Sequence, residues 1–319
     1  MRLALWLSAL LATTAVAGPV PYQGGTRVTF IPLPAVSGAP TQKARYIGGY
    51  VVKGEGASWL SGLSDLVVKP GKDGVMIDAI GDYGSRARFT LPVRGTEGPL
   101  SVEMLRGADG KPFGNKSLSD AEDMAVNPRD GTVYVSFEGD ARVMRYGPDL
   151  GGPGERLPLT GLPALPSNEG LEAVTLHLSS KGEASLMASL ILGAEVGGFW
   201  RCPLDTYRCE ALIGPTTPGF TYKLVSLAPL DPAKPDEMLA LYRFYLPVVG
   251  ARNVLRVLRL EGNRLTLVDT ILRIEPPLPI DNYEGVSAVK TRDGYRLYLI
   301  SDPIGDNDPT HLLMFDYRP

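Results

Sequence analysis

The sequence predicts an all-β propeller, a ring of four-stranded antiparallel blades, on three observations. Gly (37) and Pro (28) punctuate the 319-residue chain throughout, which favours many short elements over long helices. Five short segments recur at intervals of roughly 55 residues, each opening on a polar residue and running into a short apolar strand. Between them, apolar and polar residues alternate with a period of two, and no long window carries a helical stripe beyond the N-terminus.

Taken in order, the chain starts with a basic Met1-Arg2, an apolar run from Leu3 to Leu11 and the A-x-A site Ala15-Val16-Ala17. This is the pattern of a secretory signal peptide over residues 1–17, cut after Ala17, which leaves one domain over 18–319. The apolar run is shorter than the roughly 20 residues that span a bilayer. A secreted or periplasmic protein without stable membrane insertion is expected.

The repeated segments begin at Ser64, Glu122, Glu169, Lys223 and Glu284. Each leads through a turn to a second β-rich run and then a third, for example Thr132 to Phe137 followed by Arg142 to Tyr146. The first four units close with a fourth, more polar strand such as Arg264 to Ile274. The last has three strands before Pro319, so the early strand Thr26 to Leu33 is expected to complete it and close the ring. Five blades are counted, or six if Ala44 to Val52 belongs to a further one.

Charge and cysteines narrow the function. Lys and Arg number 32 against 35 Asp and Glu, a net charge of −3, so the basic surplus of a non-specific nucleic-acid binder is missing. Cys202 and Cys209 flank a short turn and are expected to pair across a hairpin in an oxidising compartment. With His177 and His311 as the chain's two histidines, a His-rich zinc site or a serine triad is disfavoured.

In a propeller the innermost strand of each blade lines the channel, so its first residue sits near one mouth. That reasoning gathers Ser64, Glu122, Glu169, Lys223 and Glu284, with Asp65, Asp123, Glu172 and Asp281 beside them. Converging carboxylates repel unless a cation joins them. Lys223 supplies one charge, and a hard ion such as Ca²⁺ held by Glu122, Glu169 and Glu284 would supply more. Asp82, Glu138 and Asp302 end second strands, with Tyr242-Arg243 in the equivalent place, and Arg88 and Arg142 begin third strands. Guanidinium groups suit phosphate or carboxylate capture. Each acid alone also fits a structural role, and the arginines taken singly read as ion-pair residues.

The ordered motifs Gly62-Leu63-Ser64-Asp65-Leu66, Glu122-Asp123-Met124-Ala125, Asn168-Glu169-Gly170-Leu171-Glu172-Ala173, Tyr222-Lys223-Leu224-Val225-Ser226-Leu227, Asp281-Asn282-Tyr283-Glu284-Gly285-Val286 and Leu297-Tyr298-Leu299-Ile300-Ser301-Asp302 resemble the phytase-like domain family, the "esterase-like activity of phytase" proteins. The resemblance runs from about Tyr46 to Tyr317. It implies an exported propeller that hydrolyses a phosphoester or other ester, with Glu122, Glu138, Glu169, Lys223, Arg243 and Glu284 at the positions of interest. The chain departs from the family pattern at Tyr242-Arg243, where Glu-Arg is usual, and at Ser301-Asp302-Pro303.

The catalytic candidates are therefore Glu122, Glu169, Lys223, Arg243 and Glu284, and the expected partner is a small anionic or ester substrate bound by a monomer. A non-catalytic propeller that binds an envelope protein or glycan is the alternative. It would use an aromatic patch drawn from Trp59, Trp200, Phe220 and Tyr222.

Overall fold

The computed structural model describes residues 26–37, 41–54, 60, 62–164, 170–190, 198–246, 248–303 and 308–319. The signal-peptide segment, Trp59 and Glu169 lie outside the described residues. Two strands come first, β1 (Thr26–Pro32) and β2 (Ala44–Gly54). Blade I holds β3 (Leu63–Pro70), β4 (Gly74–Gly81), β5 (Ser85–Pro92) and β6 (Glu97–Met104). A single-turn helix α1 (Lys116–Ser119), capped by the Asn115 side chain, leads into blade II. That blade holds β7 (Ala121–Val126), β8 (Val133–Phe137), β9 (Arg142–Tyr146) and β10 (Glu155–Arg156).

Blade III follows with β11 (Leu171–Leu178), β12 (Ala184–Leu190), β13 (Phe199–Pro203) and β14 (Glu210–Leu212). Blade IV has the longest strands: β15 (Lys223–Pro229), β16 (Glu237–Leu246), β17 (Gly250–Glu261) and β18 (Arg264–Ile274). Blade V begins with β19 (Tyr283–Thr291), β20 (Gly294–Ser301) and β21 (Thr310–Tyr317). All described ladders are antiparallel.

The ring closes on itself. Innermost strands pack in the circular order β3, β7, β11, β15, β19 and back to β3. Each junction between neighbouring blades carries its own apolar core: Ile80 and Leu105 meet Met124 and Val135, Ala125 and Val143 meet Val174 and Leu186, Met187 and Phe199 meet Leu227 and Leu258, Leu241 and Val257 meet Val286 and Leu299, and Ile300 and Leu312 meet Leu66 and Ile77. Alternation along every strand thus feeds two cores, one on each face of a blade. This is a five-bladed propeller.

The closure differs in one detail from the sequence expectation. β2, the Ala44–Gly54 strand, pairs with β21 and fills the fourth place of blade V. β1 lies outside it and pairs with both β2 and β6, so it stitches the outer edges of blades V and I into one nine-stranded sheet. Both N-terminal segments alternate apolar and polar residues, so pattern alone does not say which meets β21. The chain shows no sixth blade among the described residues.

Cys202 and Cys209 are bonded across the turn between β13 and β14. The closed loop is short, so replacing both by Ser is expected to lower stability by about 2.5 kcal/mol in urea unfolding. A change under about 0.5 kcal/mol would mean that the hairpin is held without the cystine.

Candidate functional site

Every innermost strand is interrupted at the same point. The ladder slips between Leu63 and Asp65, Ala121 and Met124, Leu171 and Ala173, Leu224 and Ser226, and Tyr283 and Gly285. A bulge leaves a residue unpaired and re-aims its side chain. The displaced positions are Ser64, Glu122 with Asp123, Glu172, Val225 and Glu284. The register therefore makes Glu172 the counterpart of Glu122 and Glu284. Lys223 stands two residues before Val225, level with Asp120 and Asn282.

The glycines agree with this alignment. Gly285 lies so close to the Asp65 backbone that a Cβ would sit 2.7 Å from Asp65 Cα, and Gly170 meets Glu138 Cα at 2.5 Å. The Gly after Glu284 thus packs under blade I, whereas Gly170 seats the start of blade III on blade II. The two Glu-Gly pairs that match in sequence occupy different places.

A second tier comes from the ends of the second strands. Gly81, Phe137, Tyr242 and Ser301 pair with Leu63, Ala121, Leu224 and Tyr283. Asp82, Glu138, Arg243 and Asp302 are the residues that follow. The backbone N–H of Asp82 donates to Gly62 O (2.9 Å), that of Glu138 to Asp120 O (3.0 Å) and that of Asp302 to Asn282 O (2.9 Å). Arg243 pairs directly with Lys223. One mouth of the channel is therefore ringed by acids from blades I, II, III and V, with two cations from blade IV.

The electrostatics follow from crowding. Burial, then the charges of Glu172, Asp82, Asp120 and Glu138, push the Glu122 carboxyl well above the ordinary range. Glu172 is raised to about 7 by burial and Glu138, against the pull of Arg243 and Lys223. Asp302 also reaches about 7, through burial and Asp82, although Gly62 donates a backbone hydrogen bond to it. Asp120 and Glu138 are shifted up chiefly by burial. At neutral pH such a cluster holds protons that carboxyls in water would release.

Cationic groups already answer part of this charge. Lys116 of α1 reaches Asp120 Oδ1 (2.7 Å) and Asp82 Oδ2 (3.0 Å). Burial works against its charge, but these two acids outweigh it and raise its pKa. Arg243 Nη1 donates to Glu284 Oε1 and to Asn282 Oδ1 (3.0 Å), and Asn282 Nδ2 also donates to Glu284 Oε1 (3.0 Å). Ser64 Oγ donates to Asp82 Oδ1 (2.7 Å).

Asp82, Asp120 and Glu122 each offer a carboxylate oxygen, and these atoms lie within 4.8 Å of one another. An all-oxygen donor set of this charge fits a hard divalent cation. Of the expected ligands, Glu122 belongs to this trio, Glu284 is instead paired with Arg243, and Glu169 lies outside the described residues. Asp120 and Lys116 were not singled out in the sequence. Asp120 stands two residues before Glu122, the start of the blade II marker, and α1 has no counterpart among the described residues of the other blades.

Other candidates have local partners. Arg88 holds Asp78 (2.8 Å) and Asp149 (3.0 Å), and Arg86 shares Asp78 (2.9 Å). Arg142 lies 4.0 Å over the Phe137 ring and donates to the carbonyls of Leu118 and Asp140. His177 Nε2 meets Asp236 (2.8 Å), and His311 Nδ1 lies 3.0 Å from Asp281. Deeper in the channel, Asp123 takes backbone N–H groups from Val174 (2.8 Å) and Leu227 (2.9 Å), and Asp65 takes that of Met124 (3.1 Å). These two acids tie blades together.

A propeller whose channel opens on a collar of desolvated carboxyls is thus the class of protein defined by fold and site. A family profile described as "Phytase-like: Esterase-like activity of phytase" matches residues 58–303. The chain belongs to that family. No curated protein sequence matches it significantly.

Among solved structures, the catalytic domain of Coprinopsis cinerea GH62 α-L-arabinofuranosidase is similar at 12% identity and a TM-score of 0.51, over 86% of this chain and 97% of that one. A putative exo-β-1,3-galactanase from Bifidobacterium bifidum s17 follows at 12% identity, TM-score 0.48, over 85% and 92%. The Bacteroides ovatus Xyloglucan PUL GH43B protein matches at 11% identity, TM-score 0.44, over 80% of this chain and 52% of its own length. The chain thus spans about half of that protein. At these identities the first likeness concerns the fold alone.

Proposed function

We propose that the protein is an exported hydrolase of a phosphoester or related ester, acting at the channel mouth. The observation that carries this reading is the bulge that brings Glu172 to the level of Glu122 and Glu284, where burial and Glu138 raise its carboxyl to about 7 against the pull of Arg243 and Lys223. A general base works best when its pKa lies near the operating pH. Glu172 takes the proton of the attacking water. Lys223 and Arg243 hold the anionic group of the substrate. Glu284 and Asn282 are positioning residues that fix the Arg243 guanidinium through Nη1, and among the described residues its other N–H donors have no partner and can meet a ligand.

Asp82, Asp120 and Glu122 would hold a divalent cation, Ca²⁺ being the expected one. When bound, such an ion polarises a phosphoryl or carbonyl oxygen. Its binding would displace Lys116 from the two aspartates.

The test is turnover of an aryl phosphate, an aryl ester and phytate, with and without Ca²⁺, by the parent protein and by Glu122→Gln. Turnover that Ca²⁺ increases in the parent and not in Glu122→Gln is expected. Equal Ca²⁺ stimulation of both would remove the cation role of Glu122. Absence of turnover on every substrate would favour the binding-module alternative.

A further inference from the structure

The hairpin of β16 and β17 runs past the mouth. Arg243 is level with Asp82, Glu138 and Asp302, where the other described second strands have ended. β16 continues through Phe244, Tyr245 and Leu246 before β17 returns from Gly250. Three further strand residues carry the hairpin about 10 Å beyond the rim.

This extension is apolar and open to water. Tyr245 and Leu246 are 42% and 43% exposed, Val249 is 47% exposed and Val248 95%. It is also firmly built. Its ladder continues through Phe244↔Arg252, Tyr245↔Ala251 and Leu246↔Gly250. Val249 N–H donates to Leu246 O (3.0 Å), and Arg252 Nη1 donates to Ala251 O (2.7 Å) and Val249 O (3.2 Å). Gly250, at φ +77°, takes a turn conformation that a β-branched residue resists.

One feature joins the extension to the cations, and a second braces it. Strand alternation puts Tyr245 on the same face as Arg243, one pleat further out. On the opposite face, toward blade III, Tyr222 packs against Phe244 with ring centroids 5.5 Å apart and braces the hairpin. A path from charge to apolar surface therefore begins at the Lys223–Arg243 pair.

We propose that this extension is a recognition arm for the apolar part of an amphiphilic phosphoester, with its anionic head at Lys223 and Arg243 and its alkyl or aryl portion along Tyr245, Val248 and Val249. The inference rests on the mouth being the substrate site. A single amphiphile meets the two cations with its own charge. An anionic bilayer laid over the same face would also meet Glu138, Glu172 and Asp302, which oppose it.

The experiment is calorimetric titration with ethyl-, hexyl- and decylphosphonate below micelle formation. These ligands are not hydrolysed. The parent protein should bind decylphosphonate on the order of tenfold or more tightly than ethylphosphonate, as expected for partial burial of the added methylenes. In the Tyr245→Ser/Val248→Ser/Val249→Ser variant that ratio should fall towards one. Circular dichroism of this variant guards against a folding artefact.

A parent ratio near one, or a ratio unchanged in the arm variant, would overturn the proposal. So would arm-dependent sedimentation with phosphatidylcholine–phosphatidylglycerol vesicles, or arm-dependent self-association, if either appeared without chain-length dependence. Chain-length-dependent binding with no hydrolysis of the matching phosphate monoesters would sink the hydrolase reading and leave the arm. Hydrolysis with no chain-length dependence would do the reverse.

Discussion

Replacing Asp123 by Ala is expected to cost on the order of 4 kcal/mol of folding stability. Its carboxylate receives N–H groups from Val174 of blade III, Leu227 of blade IV and its neighbour Met124 (3.0 Å). It is wholly buried. Removing the acceptor leaves these donors without partners, at roughly 1–3 kcal/mol each. Whole domains are stable by about 5–15 kcal/mol, so urea unfolding should show a large fall in midpoint. A loss below about 1 kcal/mol would mean that water replaces the carboxylate and that the tie between blades is not structural.

The partner of Asp123 gives this site a pH signature. Asp65 is raised well above the ordinary aspartate range, by burial first and then by Asp123. Burial raises Asp123 as well, to about 7, but it accepts three backbone donors against two for Asp65, so the proton held most tightly resides on Asp65. An aspartate in the unfolded chain loses its proton near pH 4. Above that pH and below the folded-state value, the folded protein binds the extra proton, so stability falls as pH rises. The slope is about 1.4 kcal/mol per pH unit for one proton. Asp65→Asn, which mimics the protonated acid, should remove one proton's worth of that slope between about pH 4 and 7. An unchanged slope would place the proton elsewhere.

The second large effect concerns activity. Glu172→Gln keeps the shape of the side chain and abolishes proton exchange. It is expected to lower kcat/KM by 10²–10⁴-fold, the usual range for a general base, without lowering the melting temperature. Because Glu172 is raised to about 7 by burial and Glu138, parent kcat/KM should climb with pH to a plateau above 7. That limb should vanish in the variant. A full-rate variant with the same profile would assign the proton transfer to another group, for which Asp302, also raised to about 7, is the nearest alternative.

Much of the architecture could be read from the chain because a propeller writes its geometry into spacing. The polar-then-apolar marker at Ser64, Glu122 and Glu284 lands on the innermost strands, and Asp82, Glu138, Arg243 and Asp302 do share the level assigned to them. The marker is less informative within a few residues. A polar residue before an apolar run satisfies it at Glu169 or Glu172, and at Lys223 or Val225, whereas the bulge fixes one register. The ion pairing of Glu284 with Arg243 and the approach of Lys116 to Asp82 join residues far apart in sequence or from α1, which no period reveals. The choice between β1 and β2 as the strand beside β21 depends on tertiary pairing in the same way.

Desolvated carboxyls converging on one opening can be observed directly. With glutamate labelled at the side-chain carboxyl with ¹³C, and resonances assigned through Glu122→Gln and Glu172→Gln, shifts can be followed from pH 3 to 9. Glu172 should titrate near 7 and Glu122 above the ordinary range. If both titrated near 4.5, the usual glutamate value, the two side chains would be solvated separately and the shared mouth would not exist.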